Sequence, residues 1–389
     1  MMKSLLSILA VAFAFVAFSQ SHEAIVFKSG DEGYKNYRIP AVVSLPDGDI
    51  LAFSEGRVDN GGDFGNIDIV MKRSSDHGKT WSAVQVVADN ENLKAGNPAP
   101  VIDLSDPNFP SGIIFLFYNT SNKSDEEIRK GNGLTQVFYK ISFDNGYTWS
   151  PEVNITLQVH KPKQPAIDPG LNFREDWRVY ANTPGHAMQF EHGKFKGRIF
   201  VPAHHSAGQP KEDFEDYFAH GYYTDDRGKT FHLSENVKFP GSGEAMATEL
   251  PDDRLMMNIC NLRGTVHQRV VAFSKNGGVT WEASSFDKNL PDPMCQGSIL
   301  TIDARKDKSL IAFCNPADTK RRDNLMLRIS EDEGKSWKKS YVIYNTNSET
   351  SVDPAGYSDI VTIHKKNAIG ILYEKDNYSK IVFTTHSLK

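Results

Sequence analysis

Cysteine is scarce in this chain, with Cys260, Cys295 and Cys314 as the only three among 389 residues. An odd count leaves at least one thiol unpaired within the molecule, and neither a CxxC pair nor histidines at ligand spacing accompany them, so a zinc site is not expected. Buried packing is the commoner use of such residues. Long apolar runs are also missing, save one from Leu5 to Phe18. That run is shorter than the roughly 18–20 residues that span a bilayer. With Lys3 ahead of it and Ala17 and Ser19 flanking a cleavage point, residues 1–20 read as an export signal peptide. The mature chain, residues 21–389, is then expected to be secreted or periplasmic, with no integral membrane segment. No cysteine follows the run to take a lipid anchor. Excess positive charge is absent too: the formal net charge is −5, which argues against a nucleic-acid partner. Anionic ligands must be met by individually placed arginines. Amphipathic helical periodicity is scarce throughout.

What the chain does have is a repeat. The octapeptide Ser-x-Asp-x-Gly-x-Thr-Trp occurs in five versions, at 74–81 (SSDHGKTW), 142–149 (SFDNGYTW), 224–231 (TDDRGKTF), 274–281 (SKNGGVTW) and 330–337 (SEDEGKSW). Spacings of this size suit a four-stranded propeller blade with variable loops better than a short solenoid repeat. In each copy Asp or Asn is placed to bond backbone amides, Gly to take a positive φ, and the aromatic to pack back into the blade. Segments rich in β-branched and aromatic residues precede the boxes, among them IDIVMKRS, LTQVFYKIS and QRVVAFS. The fold expected is all-β: a six-bladed β-propeller of four-stranded antiparallel blades with Asp-box hairpins. The last blade, around 357–389, lacks a box and is expected to be completed by the N-terminal strand. A calcium reading of the boxes fails, because none supplies the converging oxygens and the later bidentate Glu of a calcium loop.

Beyond the boxes, Tyr37-Arg38-Ile39-Pro40 near the N-terminus resembles the Tyr-Arg-Ile-Pro signature of the sialidase (neuraminidase) family, and the resemblance runs over essentially the whole mature chain. It implies a set of site residues. Arg38 is the first of three arginines for the sialic acid carboxylate, a planar fork meeting a planar acceptor. Asp63, in Gly61-Gly62-Asp63-Phe64-Gly65, is the general acid/base, with Asp59 and Asp68 as neighbouring competitors; its pKa is expected to rise when substrate excludes water. Arg57 lines the subsite for the ring substituents and Glu55 orients it. Tyr357, in Gly356-Tyr357-Ser358-Asp359, matches the nucleophile, and Glu244, in Gly243-Glu244-Ala245, matches its base. A phenol titrates near 10 and needs such a base; being neutral, it also escapes the repulsion that a carboxylate nucleophile would meet from the substrate's own carboxylate. Arg322 fits the third arginine, with Arg321 one residue off as the alternative. Glu374 would steady Arg38. Gln296-Gly297-Ser298 and Thr183 to Ala187 match pocket-side segments, and one of His204-His205 is a candidate for the sugar's glycerol chain.

One position departs from the family's pattern. Where Asn-x-Arg is expected, the chain reads Asn258-Ile259-Cys260. Arg263 takes the role of second arginine if the chain turns or bulges after Cys260; Arg269, in the following strand, is the remaining candidate. The resemblance thus implies an exo-α-sialidase, a retaining glycoside hydrolase without cofactor or metal. It would act on sialylated glycoproteins, glycolipids or oligosaccharides. A trans-sialidase, a hydrolase of a related nonulosonic acid and a non-catalytic Asp-box propeller that binds glycans are the alternatives.

Overall fold

A computed structural model describes residues 22–304, 309–346, 352–363 and 366–388; the leader read at residues 1–20 lies outside them. In chain order the strands are β1 (Ala24–Lys28), β2 (Asn36–Ser44), β3 (Ile50–Arg57), β4 (Ile67–Ser74), β5 (Gln85–Ala88), β6 (Lys94–Asp103), β7 (Ile113–Ser121), β8 (Thr135–Ser142), β9 (Val153–Asn154), β10 (Trp177–Asn182), β11 (Met188–Gln189), β12 (Ile199–Ala207), β13 (Tyr217–Thr224) and β14 (His232–Leu233). There follow β15 (Ser242–Leu250), β16 (Arg254–Asn261), β17 (Gln268–Ser274), β18 (Ser285–Pro291), β19 (Ser298–Asp303), β20 (Leu310–Pro316), β21 (Leu325–Ser330), β22 (Lys339–Tyr344), β23 (Ala355–Ile363), β24 (Ala368–Lys375) and β25 (Lys380–Ser387). The helices are short; α1 (Asp125–Arg129) and α2 (Thr156–Val159) both sit in connections.

These strands form an all-β propeller, but the expected six separate blades do not appear. Four sheets are discrete: β10–β14, β15–β18, β19–β22, and β23–β25 closed by β1. The remaining strands, β2 to β9, make one eight-stranded sheet. The cause is local. A parallel pairing of Ile67 with Lys94 joins β4 to β6, so two antiparallel sets share one hydrogen-bond network. The closing strand β1 runs against β25, with Ala24 opposite Phe383, and its pairing covers an edge that would otherwise be open.

The five boxes form one turn five times. In the first, Asp76 Oδ1 accepts the amides of Lys79 and Thr80, each at 2.9 Å, while Oδ2 accepts Thr80 Oγ1 at 2.7 Å; Asp144, Asp226 and Asp332 repeat the paired contact to position seven. Positive φ falls on two successive residues rather than on glycine alone, as at His77 (64°) and Gly78 (88°). The turn also reaches further than expected. A Cβ at Gly78 would overlap the ring of Phe383 in β25, and Trp81 meets the same ring edge-on at 5.4 Å. Gly146 lies against Leu51 and Met71, Gly228 against Phe115 and Tyr139, Gly278 against Phe200, and Gly334 against Met256. Each box is therefore keyed into the strand set before it, not only folded back on its own.

Candidate active site

The inner strands β2, β15 and β23 bring Arg38, Glu244 and Tyr357 together. A register shift between Arg38 and Ala41 in the β2–β3 pair, with Ile39 at φ 60°, bends β2 at this point. Fully buried Glu374 on β24 stabilises the bend: Oε1 accepts Arg38 Nε at 2.6 Å and the Ile39 amide at 2.9 Å, and Oε2 accepts the Tyr357 amide at 2.9 Å. One carboxylate thus fixes an arginine and the backbone of the tyrosine. The terminal nitrogens of Arg38 have no hydrogen-bond partner among the described residues and remain available as a fork.

The Tyr357 phenol donates a short hydrogen bond to Glu244 Oε1. Burial pushes the phenol well above its ordinary value, and the neighbouring Glu244 charge adds to this while Arg322 opposes it. Burial likewise raises Glu244, against the pull of the Tyr357 hydroxyl and of Arg322, Arg269 and Arg38. The phenolic proton is therefore held between two groups that both resist carrying charge, with two guanidinium carbons near the ring, Arg38 at 5.5 Å and Arg322 at 5.3 Å from its centre. Arg322 donates to Tyr378 Oη at 3.0 Å, and Tyr378 donates to Asp353 at 2.6 Å. Arg321, the alternative by one residue, is instead paired with Asp323 at 2.9 Å.

Asp63 stands on the loop after β3, its side chain 73% exposed, 2.8 Å from Arg57 Nη2. Arg57 is itself buried and bound to Glu55 Oε2 at 2.6 Å and to the Gly61 carbonyl at 2.6 Å. Desolvation pushes the Asp63 carboxyl up, but Arg57, then Arg38 and Lys94, outweigh it and hold the group below the ordinary aspartate range. The rise expected on substrate binding therefore starts from a carboxylate held in the opposite direction. Of its competitors, Asp68 is occupied by the Tyr34 hydroxyl at 2.7 Å, and Asp59 is exposed.

Arg263 does not join the cluster. It lies past the end of β16 and pairs with Glu215 at 3.1 Å. Arg269 is placed differently. Ile259 faces Val270 across the β16–β17 pair, so the next step sets Cys260 opposite Arg269, and directly opposed residues share a face. Arg269 is fully buried, bonded through Nε to Asn258 at 2.7 Å and through Nη1 to Asp292 at 3.2 Å, with Nη2 enclosed and unpartnered. The three cysteines are buried thiols, as expected of the residue type; Cys295 packs with Ile39 and Tyr357 beneath the site. Gln296 joins the Pro184 carbonyl (2.9 Å) to the Ser358 amide (3.0 Å), and His186 bonds Asp359 at 2.7 Å, so both segments are tied to the backbone and side chains that follow Tyr357. His205 stacks on Trp177 at 3.5 Å in the interior, and His204 is buried.

Two groups near the site carry no motif. Tyr378 lies 4.0 Å from the Arg38 guanidinium, and Lys94 opens β6 as a buried cation.

Comparison with known proteins places the chain among chains of similar architecture. It is 30% identical over 337 residues to a sialidase of Micromonospora viridifaciens, covering 81% of this chain and 47% of that one. A sialidase of Bacteroides fragilis (strain YCH46) is 28% identical over 364 residues, 89% of this chain and 61% of its own. The chain thus spans about half to three fifths of these two relatives; sialidase-2 of Cricetulus griseus, 24% identical, matches over 94% of both. Among solved structures, the Hadza microbial sialidase Hz136 superposes with a TM-score of 0.77 at 23% identity, over 94% of this chain and 68% of that chain. A leech intramolecular trans-sialidase gives 0.71 at 17%, over 95% and 71%. The family model described as BNR repeat-like domain matches residues 48–385, and the chain belongs to that family.

Proposed function

We propose that the chain is a retaining exo-α-sialidase acting on sialylated glycoproteins, glycolipids or oligosaccharides without a cofactor. The observation that carries this reading is the Tyr357–Glu244 hydrogen bond set between Arg38 and Arg322. Arg38 and Arg322 clamp the substrate carboxylate, Asp63 gives its proton to the leaving oxygen, and Tyr357 attacks the anomeric carbon as Glu244 takes the phenolic proton. Water, activated by Asp63, then releases the sugar. A neutral phenol suits an attack on a carbon that already bears a carboxylate. The names of the relatives, sialidases in all the curated cases cited, support the substrate class.

We assign the third contribution to the clamp to Arg269 rather than Arg263. It stands opposite Cys260 on the paired strand, acts on Glu244, and leaves Nη2 unspent. We also count the eight-stranded sheet as two blades joined edge to edge, which makes residues 21–389 one six-bladed domain, and take residues 1–20 as an export leader that delivers it outside the cytoplasm.

The test is release of free sialic acid from α2,3-, α2,6- and α2,8-linked substrates by the purified chain, with Tyr357→Phe beside it. Release by the parent chain and at least about a thousandfold loss in the variant is expected, since one hydroxyl carries the covalent step. Undiminished turnover by Tyr357→Phe ends the mechanism. An anhydro-sugar product in place of free sialic acid would favour intramolecular transfer, the activity named for the leech neighbour.

A further inference from the structure

Lys94 is only 7% exposed, and its ammonium has no hydrogen-bond or ion-pair partner among the described residues. An ammonium out of water is costly unless nearby charge compensates it. Burial pulls the Lys94 ammonium toward deprotonation and Arg57 adds to that, yet Asp125, Glu55 and Asp63 outweigh both and keep it charged. The side chain has this path because residue 96 is glycine: a Cβ there would stand 2.7 Å from Lys94 Cε and would overlap Glu55 Oε1. Glu55, in turn, accepts the Asn97 amide at 3.0 Å with one oxygen and binds Arg57 with the other, and Arg57 holds Asp63. Lys94, Glu55, Arg57 and Asp63 thus form one cluster of two cations and two anions.

The charges facing Asp63 come from three strands, Arg57 on β3, Arg38 on β2 and Lys94 on β6; Glu55 on β3 reaches it through Arg57. Those facing Lys94 add Asp125 on α1 and the His204 imidazole on β12, which burial and then Lys94 keep neutral. We propose that Lys94 is a positioning residue for Asp63: its buried ammonium balances the cluster and sets the pH range over which Asp63 carries a proton to the leaving oxygen. This rests on the sialidase reading above.

The test is the pH profile of kcat/KM for sialyllactose, whose leaving group needs that proton, in the parent chain, Lys94→Met and Lys94→Arg. Removing the cation makes the Asp63 carboxylate harder to form, so the alkaline limb moves up by about half a pH unit or more in Lys94→Met and returns in Lys94→Arg. A purely structural lysine would lower activity at every pH and leave the limb in place. That outcome overturns the proposal, as does an equal displacement in Lys94→Arg. Lys94→Gln takes the place of the methionine variant should that one fail to fold. A parent chain that releases no sialic acid removes the sialidase reading and this proposal with it; an active parent with an unmoved limb in the neutral variants removes only the role of Lys94.

Discussion

The two sides of the candidate site are built differently. On one side Tyr357 and Arg38 sit on inner strands, and the single buried carboxylate of Glu374, on neighbouring β24, bonds an arginine and two backbone amides. On the other, Asp63 rides an exposed loop and reaches the body through Arg57. On the proposed mechanism the difference has a use: a nucleophile and a carboxylate clamp need fixed geometry, which strands supply, whereas a group that gives and later takes a proton must meet water and then exclude it, which suits a loop.

The contrast can be broken most severely at Glu374. Glu374→Ala leaves the Arg38 guanidinium and two amides without their buried acceptor, and should cost about 3–5 kcal/mol of unfolding free energy, read by denaturant titration; a loss under 1 kcal/mol would show that the strand side is not held in this way. Asp63→Asn should do the reverse. The melting temperature should stay within about 2 °C, since an exposed surface substitution is nearly neutral, while kcat/KM for sialyllactose should fall roughly a hundredfold or more with the loss of general acid catalysis. The arginines sharpen the comparison on a smaller scale. Arg269→Lys, which keeps the charge but shortens its reach, should raise KM about tenfold, and Arg263→Ala should leave it within about twofold. An equal effect of the two would return Arg263 to the clamp.

Two buried histidines, His160 and His204, tie stability to pH. Burial pushes the first imidazole down to about 3; burial, together with Lys94, pushes the second down to about 4. Unfolded histidine titrates near 6.5, so the unfolded chain takes up protons that the folded chain refuses. This contribution to stability is intact above about pH 6.5 and is lost as pH falls toward 4. Denaturation midpoints that stay flat between pH 7 and 5 would contradict it.

Much of this was legible from residues alone, and unevenly so. Tyr37-Arg38-Ile39-Pro40, Tyr357 and Glu244 stand in local motifs, and the motifs mark strand ends that meet in space. Arg263 follows Cys260 closely along the chain yet pairs with Glu215, whereas Arg269 is set opposite Cys260 by cross-strand register, which depends on where the intervening turn closes. Lys94 carries no motif at all; its role depends on the missing side chain at Gly96 and on Glu55 in another strand. The separateness of the blades failed at one pairing, Ile67 with Lys94, that alternation within single strands does not encode. The box itself was plain in the sequence; that its glycine touches the previous strand set was not, since Gly78 and Phe383 lie some three hundred residues apart.

That keying gives the ring a direction in time. As the chain leaves the ribosome, the second to fifth boxes each find their partner already synthesised: Leu51 awaits Gly146, Phe115 awaits Gly228, Phe200 awaits Gly278 and Met256 awaits Gly334. The first box alone must wait, because Phe383, in the strand that β1 closes, is synthesised some three hundred residues after Gly78. Assembly can therefore proceed stepwise from the N-terminal side, but the circle is locked only once β25 has been made, and a chain truncated before β25 would keep four of the box seams and lose the one that joins the last strands to the first.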